Sequence, residues 1–290
     1  MERKQFLLTA IGTRGDSQPL VVIAQRLQQD GHVVRVAVNP SHKESVVKQG
    51  VMYFPLEGFD PEALMSQQMG DRPGWDSYFR QRMYNEWFAH VCKSTWEAAT
   101  APLEDGTPFK PDVILSSHQQ IAALPVAEKL RAQFVLFNTY PMSTTREFRH
   151  PFGLFLEGKD SRDTPLVNLF TYWAYDLGIH VGLCPSVRKL RKDLKLGSNG
   201  GWVVQVDGLL KQWKVPVFGI WSPNLLPRPA DWHENLVVCG SVDRTGGLPE
   251  LPADLVEYCR AGEPPIFFGF GPGSMSNIGA HPSQKSSPSL

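Results

Sequence analysis

The chain has 290 residues and a formal net charge of zero at pH 7, with 42% hydrophobic and 20% charged side chains. That balance describes a globular protein and excludes a disordered one. Zero net charge also excludes the basic footprint of a nucleic-acid-binding domain, and the length allows one large core or two modest ones.

The first predicted element is a buried strand over Phe6–Ile11, followed by the tight loop Gly12-Thr13-Arg14-Gly15-Asp16. The apolar period then changes: Leu20, Ile23, Ala24 and Leu27 fall at i, i+3, i+4 and i+7, one face of a helix. Pro19 suits a first helical turn and Gly31 a C′ stop. Asp16 therefore sits where a buried strand turns into a helix, at the carboxyl-end crevice in which open α/β sheets bind ligands. A dinucleotide fingerprint would need G-x-G-x-x-G and an acid ending the second strand, where Val38-Asn39 stands. A phosphate loop would need Gly-Lys-Ser/Thr, which is absent. On spacing alone, a plain βα turn with Asp16 helping to cap the helix is favoured over both.

Val33–Val38 is a β-branched run suited to a central parallel strand. Asn39-Pro40 turns the chain, Ser41–Glu44 has capping-box spacing for a short helix ended by Gly50, and Val51–Phe54 reads as a third strand. Strand-helix-strand-helix-strand at this spacing implies βαβ units in a parallel, doubly wound sheet. His32 and His42 read as solvated. Residues 55–75 lack a period and read as a loop. Trp75, Phe79, Met83, Trp87 and Val91 recur every four residues, which favours a core-facing helix over a ligand platform, continuing to Trp96.

Pro111–Ser116 is the next strand, entered through Pro111 and Asp112 and followed by Ser117-His118-Gln119. A helix over Ala122–Leu130, a strand over Phe134–Phe137 and the loop Asn138–Met142 come after it. Both loops should open on the crevice that holds Asp16. His118 is a polar contact or auxiliary base there, or else a histidine satisfied by backbone. Residues 165–182 are rich in Leu, Phe, Tyr and Trp and lead into the basic run Arg188–Lys195. That run reads as a helix with one solvated face, with contact to anionic lipid as the lesser alternative. Gly197–Gly201 is a loop, Val215–Ile220 a strand, and the proline-dense stretch that follows a semi-rigid connector. A helix at about Ala253–Ala261 and a strand over Ile266–Gly271 precede a Ser- and Pro-rich tail expected to be disordered.

The four cysteines, Cys92, Cys184, Cys239 and Cys259, form no C-x-x-C pair, which favours free core thiols over disulfides or a zinc site. No run of about 18 apolar residues is present. The apolar run after Arg3 and Lys4 is shorter than the roughly 7–15 residues of a signal h-region. The expectation is a cytoplasmic protein without a membrane span, with room for peripheral membrane contact.

The stretch Gly12-Thr13-Arg14-Gly15-Asp16-Ser17-Gln18-Pro19-Leu20, with its strand, its helix and Gly31–Ala37, resembles the N-terminal domain of GT-B glycosyltransferases. The closest likeness is to glycosyltransferase family 28, the branch with sterol glucosyltransferases and the enzymes that glycosylate glycopeptide antibiotics. Ser222-Pro223 through Pro227-Arg228-Pro229 to Asp231-Trp232 is similar to the segment that ends this domain in sterol glucosyltransferases. The resemblance implies a Rossmann-like parallel sheet, the N-terminal half of a GT-B fold, with a fragment of a second Rossmann-like domain. It implies Asp16 as the general base that deprotonates an acceptor hydroxyl. Gly12, Thr13, Arg14 and Gly15 would shape the loop facing sugar and diphosphate, with His118 and Tyr140 as acceptor-binding candidates. The reaction implied is inverting transfer of a hexose, commonly glucose from UDP-glucose as co-substrate, to a sterol or other lipid-like alcohol, without a metal or other cofactor.

The expected divisions are an acceptor-side domain over 1–224, a linker over 225–235, the opening of a donor domain over 236–276 and a tail over 277–290. Gly269–Met275 is two residues longer than the family's Gly-Phe-Gly-Ser-Met, after which the likeness ends. The expectation is a chain cut short inside its donor domain and nearly inactive alone. A non-catalytic acceptor-binding module and a half-enzyme completed by a separate donor-domain polypeptide are the alternatives.

Overall fold

The computed structural model describes residues 2–58, 76–151, 164–197, 213–242 and 251–266, with backbone alone over 76–84 and 178–182. The chain divides into two compact units, the first comprising 1–60 and 73–243 and the second 61–72 and 244–290.

Seven parallel strands build the first unit: β1 (Gln5–Thr9), β2 (Val33–Val38), β3 (Met52–Pro55), β4 (Val113–Ser117), β5 (Gln133–Asn138), β6 (Val217–Gly219) and β7 (Leu236–Val238). The helices between them are α1 (Arg14–Gln29), α2 (Lys43–Val47), α3 (Asp76–Thr100), α4 (Ala123–Leu130) and α5 (Pro165–Asp193), with a 3-10 turn at Pro40–His42. The strand order is β3-β2-β1-β4-β5-β6-β7. It grows leftward from β1 to β3 and rightward from β4 to β7, so the direction reverses between β1 and β4. In sheets of this kind the reversal opens a crevice at the carboxyl edge, because the two flanking connections leave toward opposite sides.

The side-chain alternation of β1 explains why both faces are covered. Leu7 and Leu8 are both fully buried, on opposite faces. Leu7 packs with Ile114, Phe88 and Val91 of α3, Val126 of α4, and Val187 and Leu190 of α5. Leu8 packs with Val34, Val36, Leu115 and Phe137 against Leu20, Val21 and Ala24 of α1. Burying each such side chain fully contributes about 1.5–3 kcal/mol.

β2 carries one charge into this core. Arg35 is 3% exposed and aligned with Leu7, on the α3 side. Its guanidinium donates to the carbonyls of Ala98 (2.8 Å), Ala101 (2.8 Å) and Pro102 (2.9 Å) and lies 4.1 Å from the Phe109 ring centroid. The last carbonyls of a helix have no partner within it, so Arg35 completes the end of α3.

Several sequence expectations shift. Pro19 lies inside α1, not in its first turn, because the helix begins at Arg14. The turn after β2 is capped by Asn39, whose Oδ1 accepts from the Ser41 amide at 2.9 Å, so Ser41 is not the cap. The basic run as far as Asp193 is the end of one 29-residue helix, α5, and Lys195 lies beyond its C-cap Leu194. Within that run Arg191 is buried, pairing with Glu128 of α4 at 2.5 Å and donating to the Gly197 carbonyl at 2.8 Å. Leu236–Val238, placed by sequence at the opening of a second domain, is the seventh strand of the first sheet, in register with Val217–Gly219. Cys92 and Cys184 are buried cysteines outside any disulfide, but Cys239 and Cys259 are exposed.

The described part of the second unit is a short helix, α6 (Ala253–Arg260), with Asp254 in its first turn, Arg260 in its last and no buried side chain. Apart from Ile266, the strand expected over Ile266–Gly271 lies outside the described residues, as do the tail and most of the loop at 55–75.

Candidate active site

The carboxyl edge at the β1/β4 reversal gathers the polar residues. Thr9 ends β1 beside Ser116 of β4, and Ser117 of β4 lies beside Phe137 of β5. Three loops therefore leave side by side: Gly12–Asp16 after β1, His118-Gln119 after β4 and Thr139-Tyr140 after β5. Arg14 and Gly15 are exposed, while Gly12, Thr13, Asp16, His118 and Tyr140 are half-buried.

The first loop is built tightly around its acid. Gly12 has φ +142°, and a Cβ there would stand 2.1 Å from Asp16 Oδ2. Asp16 occupies the third position of α1, and its Oδ2 accepts the Thr13 amide at 3.0 Å. Oδ1 accepts from the Thr139 hydroxyl at 3.4 Å, which ties the first loop to the third. Burial raises the Asp16 pKa above the usual carboxylate value, opposed by the hydrogen bonds from Thr13 and Thr139 and by His42. Partial desolvation makes this carboxylate a better proton acceptor than one in water, while the helix N-terminus favours its ionised form.

Around Asp16 stands a wall of aromatic and amide groups. Gln119 donates to the Tyr140 hydroxyl. Burial, the Asp16 carboxylate and Tyr175 of α5 all push the Tyr140 phenol upward, so it stays protonated. Tyr175 stacks on His150 at 3.9 Å between centroids, and Tyr172 meets the same ring edge-on at 5.0 Å. Burial, reinforced by His118, lowers the His150 pKa to about 4, so this imidazole is neutral near pH 7. Below them Gln120 is fully buried and donates to Thr95 of α3 at 3.0 Å and to Thr9 at 3.4 Å.

Gly12, Thr13, Asp16, His118 and Tyr140 thus all lie on the three loops of this carboxyl edge, with Arg14 and Gly15 exposed in the first of them. The structure adds Gln119, Thr139, His150 and Tyr175, which carried no local signal. It also corrects His42, which is buried and not solvated, with Nε2 3.1 Å from the Gly12 carbonyl oxygen. The basic run is not part of this site. Lys189 and Lys195 line a separate groove of about 860 Å³ with Trp96, Leu190 and Leu194, between α3 and α5. Among the described residues no group of three or more His, Cys, Asp or Glu side chains could hold a metal ion, and no helix is long and apolar enough to cross a membrane.

The proline-rich stretch is bound to the site's third loop. Asp231 accepts from the Thr145 hydroxyl at 2.7 Å and from the Arg146 amide at 2.8 Å, and the Trp232 indole donates to the Ser143 carbonyl at 3.1 Å. Residues 143–146 continue the loop that begins at Thr139-Tyr140, so this stretch braces the aromatic wall.

A doubly wound parallel sheet with an acid at its topological switch point fits the Rossmann-like half of a GT-B glycosyltransferase fold. Residues 6–148 match the glycosyltransferase family 28 N-terminal domain, and that segment is a domain of this family. It is 34% identical over 278 residues to a sterol 3-beta-glucosyltransferase of Arabidopsis thaliana, covering 92% of this chain and 41% of the relative. A second sterol 3-beta-glucosyltransferase of that plant is 27% identical, covering 93% of this chain and 43% of the relative. The chain thus spans about two fifths of the length of these curated relatives. The crystal structure of the glycotransferase of kitacinnamycin superposes with a TM-score of 0.51 at 15% identity, over 87% of this chain and 56% of that one, a likeness of fold.

Proposed function

We propose that this chain supplies the acceptor side of an inverting transfer of glucose from UDP-glucose to the hydroxyl of a sterol or similar lipid alcohol, with Asp16 as general base. The observation that carries the reading is the Asp16 carboxylate at the switch-point crevice, one oxygen held by the Thr13 amide and the other beside Thr139. The names of the relatives supply the acceptor class. The acceptor hydroxyl gives its proton to Asp16 as its oxygen attacks the anomeric carbon, and UDP leaves from the opposite face, which inverts that carbon. Gly12, Thr13, Arg14 and Gly15 present backbone at the start of α1, where helix amides favour the negative charge of a diphosphate. Tyr140 and His118 border the acceptor. Stabilising the departing diphosphate is the larger share of such a barrier. The groups that do so belong to the donor side of such a fold, so transfer calls for a donor-binding half beside this one.

The test supplies the chain with UDP-glucose and a sterol, alone and with the donor-binding half of the Arabidopsis relative as a second polypeptide. Transfer should need that half, and Asp16→Asn should lower kcat by about 10²–10⁴, the usual contribution of a general base. Full transfer by Asp16→Asn would overturn the assignment. A second reading, a sterol-binding module without transfer, is favoured by the aromatic wall of Tyr140, Tyr172, Tyr175 and His150, which lies wholly within the first unit. It predicts sterol binding unaffected by Asp16→Asn and no transfer with any donor half.

A further inference from the structure

We propose that His42 is a positioning residue for Asp16, acting through the Gly12–Thr13 peptide group; the inference rests on Asp16 being the base. His42 Nε2 lies 3.1 Å from the Gly12 carbonyl oxygen. A carbonyl only accepts, so Nε2 carries the proton and donates. The amide of the same peptide unit, on Thr13, donates to Asp16 Oδ2 at 3.0 Å. In a trans peptide the C=O and N–H lie in one plane and point in opposite directions, toward its two edges. That plane is therefore tied by the imidazole on one side and the carboxylate on the other. Imidazole, peptide and carboxylate form one chain of hydrogen bonds, each polarising the next.

The arrangement matters because the Gly12–Thr13 peptide is otherwise free to turn. Gly12 adopts φ +142°, a region where only glycine is unstrained, and glycine also reaches the alternatives readily. Rotation of the plane would withdraw the Thr13 N–H from Asp16 and leave the carboxylate free to swing. His42 opposes this from a rigid base. Its ring is 6% exposed, on the 3-10 turn after β2. Asn39 fixes that turn, accepting from the Ser41 amide at 2.9 Å and hydroxyl at 2.8 Å, while its carbonyl accepts the His42 amide at 3.0 Å. With Oδ2 engaged, Oδ1 is left beside Thr139 to receive the acceptor's proton. His42 touches no reacting atom and acts by aiming the carboxylate.

The experiment compares the whole chain with His42→Leu and His42→Gln. Gln keeps an N–H donor near the position of Nε2, and Leu removes it. In the unaltered protein, imidazole nitrogen NMR should show the Nε2–H tautomer near neutral pH. In His42→Leu the Thr13 amide should exchange with solvent at least about tenfold faster while Val36 and Leu115 exchange as before, and His42→Gln should return it to within about threefold. With the donor half added, His42→Leu should lower kcat by about tenfold and leave KM for sterol unchanged, a loss confined to the transition state. An Nδ1–H tautomer, unchanged Thr13 exchange in His42→Leu, or failure of Gln to restore it would overturn the proposal, and the tautomer decides even if His42→Leu does not fold. If the unaltered chain transfers no sugar with the donor half, the functional reading falls, while the tautomer and exchange still judge His42.

Discussion

Replacing Arg35 by Met keeps most of the buried volume and removes every polar contact of the guanidinium. Three carbonyls at the end of α3, on Ala98, Ala101 and Pro102, lose a charged donor at 2.8–2.9 Å. Each buried acceptor left without a partner costs about 1–3 kcal/mol, and the stacking on Phe109 is lost as well. Opposing this, the mutant no longer pays for desolvating a charge, which burial makes costly enough to lower the Arg35 pKa. The contacts to Ala101 and Pro102 are only part-buried, so water can replace some of what is lost there. The net is a destabilisation of roughly 3 kcal/mol, a large share of the 5–15 kcal/mol of a typical domain. Arg35→Lys should fall between the two, because one ammonium cannot serve three carbonyls in the geometry of a planar fork. Urea unfolding followed by circular dichroism measures both. A loss below about 1 kcal/mol in Arg35→Met, with an unchanged m-value, would refute the claim that Arg35 completes α3.

Three further outcomes follow from the site. Gly12→Ala should destabilise by about 2 kcal/mol and abolish transfer, since its Cβ would stand 2.1 Å from Asp16 Oδ2 at a φ few L-residues adopt; thermal melting with wild-type values would contradict this. His150, ordinarily 6.5 and here about 4, binds its proton more readily when unfolded, so stability is full above pH 6.5 and falls as pH drops toward 4. The loss amounts to roughly 3 kcal/mol at about 1.4 kcal/mol per pH unit, and urea midpoints for His150→Phe should be flatter across that window. Asp16 has the opposite sign: an acid with a raised pKa costs stability when ionised above that pKa, so Asp16→Asn should melt no lower than wild type at pH 7 even as transfer is lost. A clear drop in its melting temperature would mean the carboxylate is structural.

The elements were legible where the apolar period is local. β1, β2 and β4 are β-branched or aliphatic runs, and the change of period after Gly12 marks both the turn and the place of Asp16. The topology followed from repeated strand-helix spacing, because parallel strands require crossovers. What the sequence did not show depends on register between distant segments. Thr139 reaches Asp16 across 123 residues, and Gln119 reaches Tyr140 only because β4 and β5 end side by side. His42 looked solvated because it follows a Pro-containing turn. Its burial comes from β2 ending beside β1, which brings the ring under Gly12. Arg35 was hidden for the converse reason, as a charge in a run otherwise suited to the core. The proline density before Leu236 reads as a connector, yet those prolines return the chain to the sheet edge.

That return bears on how the site is held. The third loop carries Thr139 and Tyr140, yet its described residues, 139–151, form no helix or strand of their own. Asp231 and Trp232 supply what secondary structure would otherwise supply, binding Thr145, Arg146 and Ser143. Hydrogen bonds from Thr145 and Arg146 also lower the Asp231 pKa despite burial, so its carboxylate stays ionised and keeps accepting them. Phe148 and Trp221 then pack edge-on against the Trp232 ring at 6.1 and 6.0 Å. A carboxylate paired with backbone and hydroxyl donors sets direction, while the indole cluster sets depth. The wall facing Asp16 therefore depends on residues about ninety positions downstream. Cutting the chain before Ala230 would remove the brace and β7 together, although every side chain placed in the crevice would still be present.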